Sequence, residues 1–357
     1  MELRSGSSIS ERIDIASEIF ERLKDLTDES ARRIKGNCTR DGKFLGERLD
    51  LFQNGCYELA FCEAEIAAAR ASLNFLNNGE EHVLRQEIVL MFCAETSKSV
   101  LNRFLSHGTD LGVLRSRAQA IYDDPQTLEL LDACYSARPV AHLGACIVEE
   151  GLTSFPSSLG EEKLMVRDTF SRFADDVVAP LAEEIHRKDT DIPEQIITAA
   201  ADLGCFGTCI PERFGGLQPD DHSDSLGMII VTEELSRGSL GAAGSLITRP
   251  EIAARALLAG GTGAQQQKWL PPLASGEMLC AISITEPNTG SDVAAVSLKA
   301  KPVDGGWLLN GSKTWCTFAG RSELIVVLAR TNPDASLGYK GLSMFLLEKP
   351  AYAGKEF

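Results

Sequence analysis

The sequence predicts an α+β protein in three parts: a helical bundle over residues 1–155, a second helical domain over 156–278 and an antiparallel β domain over 279–357. Two changes of pattern carry this reading. Apolar residues recur at the helical period until about Cys280 and at a period of two after it. The stretch Gly151 to Gly160, with Pro156 and a serine pair, divides the helical part as a linker. At 357 residues and 44% hydrophobic, the chain can bury the cores of several domains.

In the first part, Ile13, Ile19, Phe20, Leu23 and Leu26 mark one face of an opening helix. A long helix from Glu47 to Asn77 carries Leu51, Tyr57, Leu59, Cys62 and Ile66 among alanines that let a neighbour approach closely. A third helix runs from Glu80 to Ser106, and shorter ones span Leu114 to Tyr122 and Gln126 to Tyr135. Together they suit an up-and-down bundle used for packing or assembly. In the second part a helix begins near Glu161 and is bent or restarted at Pro180. Asp191 is placed to cap a helix with Pro193 in its first turn, ending at Gly204. Cys209 to Gly216 forms a compact turn, helices follow over Asp224 to Arg237 and Ala242 to Leu258, and Thr262 with Gln265 makes a capping box. Strand-like segments lie near 280–285, 294–301, 306–310, 313–317, 324–330 and 342–347, with a hairpin signal at Asp304-Gly305-Gly306.

The net charge of −16, from 51 acidic and 35 basic residues, argues against nucleic acid or an anionic membrane as partner. It leaves room for an anionic ligand held by backbone N–H groups. The ten cysteines are scattered through apolar segments, which predicts a reducing cytoplasmic setting. Cys205 and Cys209 lack the spacing of a zinc or redox motif, and the five histidines fall in separate segments, so no metal site is expected. No run reaches the roughly 18 apolar residues of a membrane helix.

One stretch concentrates the candidate chemistry. Ile282 and Ile284 lead into Thr285-Glu286-Pro287-Asn288-Thr289-Gly290-Ser291-Asp292, a loop of small side chains, hydroxyls and backbone N–H groups suited to a phosphate or ring edge. Further on, Trp315-Cys316-Thr317 sets an aromatic beside a hydroxyl, and in an extended segment Trp315 and Thr317 face the same way. A planar heterocycle such as a flavin would use that pair. Singly, each residue has a plainer role, Trp315 in a core and Thr-Glu-Pro in a turn. Glu286 is expected to order the loop through backbone contacts, and Glu233 and Glu234 to face solvent or pair with Arg237, so no catalytic carboxylate is nominated.

Thr285 to Asp292 and Leu309 to Thr317 resemble the corresponding motifs of the acyl-CoA dehydrogenases. Cys209 to Gly216, Thr232 to Gly238 and Lys268 to Gly276 match the same family in the same order, so the resemblance covers about Gly160 to Phe357. It implies an FAD enzyme that removes hydrogens from Cα and Cβ of an acyl-CoA and passes electrons to an electron-transferring flavoprotein. It also implies a helical domain, a middle β domain and a C-terminal four-helix bundle, with assembly as a homodimer or a dimer of dimers. By this resemblance, Ile282, Ile284, Thr285, Gly290, Ser291, Trp315, Cys316 and Thr317 line the FAD, and Ser291 also borders the pantetheine. The family's base lies on the C-terminal bundle, which places it beyond Phe357 and leads us to expect a fragment of a longer protein, itself inactive. A narrower resemblance, over Gly204 to Glu212, Thr232 to Gly238, Gly244 to Ile252 and Gly341 to Pro350, is to the branch acting on methylsuccinyl-CoA, a branched dicarboxylic thioester oxidised to mesaconyl-CoA in the ethylmalonyl-CoA route. Its distal carboxylate calls for a cation, for which Arg249 is the candidate. Three alternatives stay open: a dehydrogenase of another short-chain acyl-CoA, a flavin oxidase or monooxygenase of the same fold, and a non-catalytic interaction protein.

Overall fold

The structure is a computed structural model that describes residues 7–77, 82–151 and 159–352. It divides into two compact units, Met1–Pro156 and Ser157–Phe357. Most of the stretch read as a linker, residues 152–158, lies outside the described residues.

In the first unit, α1 (Ile9–Asn37) starts at a Ser8 capping box and buries Ile19, Phe20, Leu23 and Leu26, as its periodicity requires. It packs with α2 (Gln53–Asn77) and α3 (Val83–His107), and their shared core includes Ile66, Leu101 and Phe104. The shorter α4 (Arg115–Tyr122), α5 (Pro125–Cys134) and α6 (Ala137–Glu149) complete it, α6 being a helix the sequence reading did not separate. A two-stranded ribbon, β1 (Thr39–Arg40) and β2 (Lys43–Phe44), connects α1 to the turn before α2. The expected face of the second helix is corrected at its start, where Leu51 and Tyr57 are 74% and 60% exposed. Leu51 belongs to the tighter turn Gly46–Phe52, and Tyr57 packs at a tilt against Phe61 at the surface, so the buried stripe begins at Cys62.

The second unit opens with α7 (Glu161–Phe173), a wide turn over Ala174–Val178, and α8 (Ala179–Lys188) with Pro180 in its first turn. That wide turn accommodates the N–H that proline lacks. Next, α9 (Glu194–Asp202) is capped by Pro193 without a side-chain bond, so Asp191 is not its cap. Asp224 caps α10 (Ser225–Ser239), a second wide turn spans Leu240–Gly244, and α11 (Thr248–Gly260) starts later than the periodicity suggests. The Thr262–Gln265 capping box starts α12 (Gly263–Ser275).

The sheet has β3 (Cys280–Ser283), β4 (Lys299–Val303), β5 (Gly306–Asn310), β6 (Leu324–Arg330) and β7 (Leu342–Glu348). Its centre is β6, paired antiparallel with β7 from Leu324↔Glu348 to Arg330↔Leu342. The other edge of β6 takes β3 in parallel, from Cys280↔Leu324 to Ser283↔Val327, and then the start of β4 at Lys299↔Arg330. The hairpin β4–β5 turns at Gly305, whose φ of 80° suits glycine. Residues 313–317 are not a strand, because the chain reverses there with Trp315 at φ 60° and Phe318 at φ 67°. Trp315 and Thr317 therefore do not share a face by strand alternation.

Candidate functional site

The site is built where the chain leaves β3. Strand pairing ends at Ser283, and the backbone of Glu286 exchanges bonds with Thr289: Glu286 N–H donates to Thr289 O (2.8 Å) and Thr289 N–H to Glu286 O (3.1 Å). Pro287 occupies the second position of this turn, the one its fixed φ favours. The turn is anchored from inside by the Glu286 side chain. One carboxylate oxygen accepts from Ser297 N–H (2.9 Å) and Ser297 Oγ (2.6 Å), the other from Leu298 N–H (2.7 Å) and Lys313 Nζ (3.0 Å). Lys313 also donates to Ile284 O at 2.7 Å. The pair is only 6% and 7% exposed, so both charges are satisfied from within the protein. Burial acts to raise the Glu286 carboxyl, but the bonds from Ser297, Leu298 and Lys313 outweigh it and hold the group down at about 2.

Two further bonds join the loop to the second motif. Thr314 N–H donates to Thr285 O (2.9 Å), and the Cys316 thiol lies 3.3 Å from Ser283 Oγ. Thr317 N–H then folds back to Trp315 O at 3.1 Å. The result displays Trp315 at 85% exposure, with Thr317, Gly290 and Ser291 also exposed and Ile282, Ile284, Thr285 and Cys316 half-buried. A left-handed backbone at an exposed tryptophan costs energy and hides none of the ring, so packing within this chain does not account for it. Gly290 tells a similar story: a methyl built there would meet only Thr285 Cγ2, at 3.7 Å. By contrast, a methyl at Gly311 would come within 2.9 Å of the Leu298 backbone, so that glycine is required by the fold.

Arg249, on the first turn of α11, reaches this region by a contact the sequence does not reveal. Its guanidinium lies 5.3 Å from the Phe318 ring centroid, while Arg321 lies 5.8 Å from it. Arg249 also donates to Ser245 O, and its burial lowers its affinity for the proton. A half-buried guanidinium thus rests on the ring of the residue that follows Thr317 in the chain. Ser291 lies in the loop beyond Gly290, and no bond from its side chain to the 314–318 turn is found among the described residues. Lys313 and Phe318 were missed as contributors. Lys313 lies within a motif the sequence does single out, whereas nothing local marks Phe318 as the seat of two arginines.

Of the two adjacent glutamates on α10, Glu233 is exposed. Glu234 is buried and paired with Arg237, which also binds Asp175. The cysteines are free thiols, and burial pushes Cys205, Cys209 and Cys280 up to about 12, which leaves them unreactive. No group of three or more His, Cys, Asp or Glu side chains converges on a metal-binding point among the described residues. Nor is any described helix long and apolar enough to cross a membrane.

With this geometry in place, the matches to known proteins are consistent in kind. Residues 160–277 match the acyl-CoA dehydrogenase N-terminal domain and residues 281–354 the acyl-CoA dehydrogenase middle domain. The chain belongs to the acyl-CoA dehydrogenase family. It is 50% identical over 193 residues to the (2S)-methylsuccinyl-CoA dehydrogenase of Cereibacter sphaeroides, covering 54% of this chain and 34% of that protein. It is 36% identical over 222 residues to the mitochondrial isovaleryl-CoA dehydrogenase of Arabidopsis thaliana, covering 60% and 52%. Among solved structures, a glutaryl-CoA dehydrogenase in complex with glutaryl-CoA aligns with a TM-score of 0.49 at 33% identity, covering 54% of this chain and 48% of that one. The chain thus spans 34% and 52% of the lengths of these two curated relatives.

Proposed function

We propose that this chain supplies the FAD- and thioester-binding part of a dehydrogenase acting on the Cα–Cβ bond of a short branched dicarboxylic acyl-CoA, with (2S)-methylsuccinyl-CoA the substrate and mesaconyl-CoA the product. The observation that carries the reading is the junction of the two motifs: an internally saturated Glu286–Lys313 pair holds a loop and a turn that expose Gly290, Ser291, Trp315 and Thr317. The 50% identity to the methylsuccinyl-CoA enzyme supports the choice of substrate.

These residues fit FAD, because an exposed indole beside hydroxyls and an unhindered glycine suits a flat ring carrying polar edges. When bound, FAD would supply the acceptor for the hydride leaving the acyl chain. Ile282, Ile284 and Trp315 would offer apolar contact to it, and Thr285, Gly290, Ser291, Cys316 and Thr317 hydrogen-bonding groups. Ser291 would also border the pantetheine arm. Arg249 would hold the far carboxylate of the acyl group, its position on the Phe318 ring fixing where that charge can sit. Glu286 cannot serve as the base, since all of its described bonds tie it to the fold and its carboxyl is held at about 2, far below a useful general base. We assign no base within residues 1–357. The remaining elements of the proposal are an electron-transferring flavoprotein as acceptor, assembly as a homodimer or dimer of dimers, and a reducing cytoplasmic setting suited to ten free thiols.

The test is made on the complete natural protein. A flavin spectrum bleached anaerobically by methylsuccinyl-CoA, more readily than by an uncharged acyl-CoA, is expected. Absence of flavin, or preference for the uncharged thioester, would overturn the assignment. Arg249→Leu should raise KM for methylsuccinyl-CoA at least about tenfold, the scale of a lost charge-assisted contact. An unchanged KM removes Arg249 from the pocket.

A further inference from the structure

The first unit contains a cavity of about 330 Å³ with the character of a small-ligand site, separate from anything the proposed dehydrogenation uses. It lies among α1, α3, α5 and α6 and is lined by Leu90, Ala133, Cys134, Pro139 and Leu143. Arg12, Arg138 and His142 also line it, and Glu87 is its one carboxylate. Arg138 and His142 lie one turn apart on α6, so their spacing presents both to the same side, with Leu143 adjoining.

The charge balance of this lining departs from that of the chain. With histidine neutral, two arginines against one glutamate give +1, in a protein whose formal charge is −16. Several arginines of the unit are matched with carboxylates: Arg22 with Asp124, Arg103 with Glu58 and Glu65, Arg117 with Glu29. Among the described residues, Arg12 and Arg138 are not. Arg12 donates to the Ser7 hydroxyl and sits close enough to Cys134 to oppose the upward push of burial on that thiol, and Arg138 makes no ion pair among the described residues. Two arginines without carboxylate partners among the described residues, lining one cavity with aliphatic side chains, match a ligand with a planar anionic head and a short apolar tail. The volume is at the small end of the range for ligand pockets, which excludes a nucleotide or an intact acyl-CoA.

We propose that this cavity is a binding site for a short-chain aliphatic carboxylate, held by Arg12 and Arg138 with its chain against Leu90, Ala133 and Leu143. The test uses isothermal titration of the full chain with hexanoate, with hexanamide as the uncharged counterpart and inorganic phosphate as the anion without a tail. Hexanoate should bind at one site, at least tenfold more tightly than either control, and NMR should record contacts from its methylene protons to the Leu90 and Leu143 methyls. Arg138→Gln, an exposed substitution, should weaken hexanoate at least tenfold with circular dichroism and melting unchanged, and Ala133→Phe should abolish binding by filling the floor. The proposal is overturned if hexanoate does not bind, if hexanamide or phosphate binds equally well, if Arg138→Gln binds hexanoate as the parent does, or if the NMR contacts fall on Trp315 and Ile284. That last outcome would assign the ligand to the proposed dehydrogenase site, so the two readings fail separately.

Discussion

The bundle core of α1, α2 and α3 and the loop-and-turn at Thr285 to Phe318 are both buried at their centres, yet they are held by opposite means. In the bundle, Phe20, Leu23, Ile66, Leu101 and Phe104 form an apolar cluster in which every contact is non-directional. In the loop-and-turn, one carboxylate accepts four hydrogen bonds, one of them from an ammonium. The difference teaches what each region can specify. An apolar core fixes volume and is lost in proportion to what is removed, whereas a buried ionic cluster fixes positions and fails as a unit when one member goes.

Removing a whole ring from the bundle gives the largest expected effect. Phe104→Ala should cost about 4 kcal/mol in the first unit, read by hydrogen exchange of α1 and α3 amides, with the exchange of β6 amides unchanged. Equal acceleration in both units would deny their independence. Next, Lys313→Met keeps the volume but leaves Glu286 charged and buried, and should cost about 3 kcal/mol. The Ser297 and Leu298 amides should then exchange faster than those of β7; protection left as it was would mean the pair contributes no position-fixing.

Acid sharpens the same contrast. The folded Glu286 carboxyl, at about 2, lies below its ordinary value of 4.5, so its stabilisation is present above pH 4.5 and is lost as pH falls through about 2. Glu286→Gln cannot titrate, so the gap in urea midpoint between parent and variant should narrow steadily from pH 5 to pH 2. A constant gap would contradict the ionic account. The smallest expected change is Gly290→Ala, within about 0.5 kcal/mol because the added methyl meets only one side chain, while flavin affinity should fall. A large stability loss there would mean the glycine serves the fold and not a ligand.

Much of this architecture was legible because the signals are local. The Thr262–Gln265 box, the apolar stripe of α1 and the Gly305 hairpin each depend on residues close to one another in the chain, where propensity, periodicity and hydrogen bonding act directly. Glu286 could be read as an organiser of its loop because it sits inside the loop it organises, although Lys313, 27 positions away, could not be matched to it by spacing. The exposed Leu51 and Tyr57 were misplaced for a related reason: apolar identity says that a residue can be buried, but Leu51 falls in the tighter turn before α2 and Tyr57 on the exposed side of α2's first turns.

The sequence by itself determined most of the helical and β segments, the family, and which residues to nominate, since periodicity, caps and motif order are properties of the chain read in one dimension. Tertiary structure alone decided that residues 313–317 turn back with Trp315 displayed, that Arg249 rests on the Phe318 ring, and that Arg12 and Arg138 share a cavity. The last two are contacts between segments far apart in the chain. Their energies depend on distance, burial and the absence of competing partners, quantities that exist only once the chain has closed on itself.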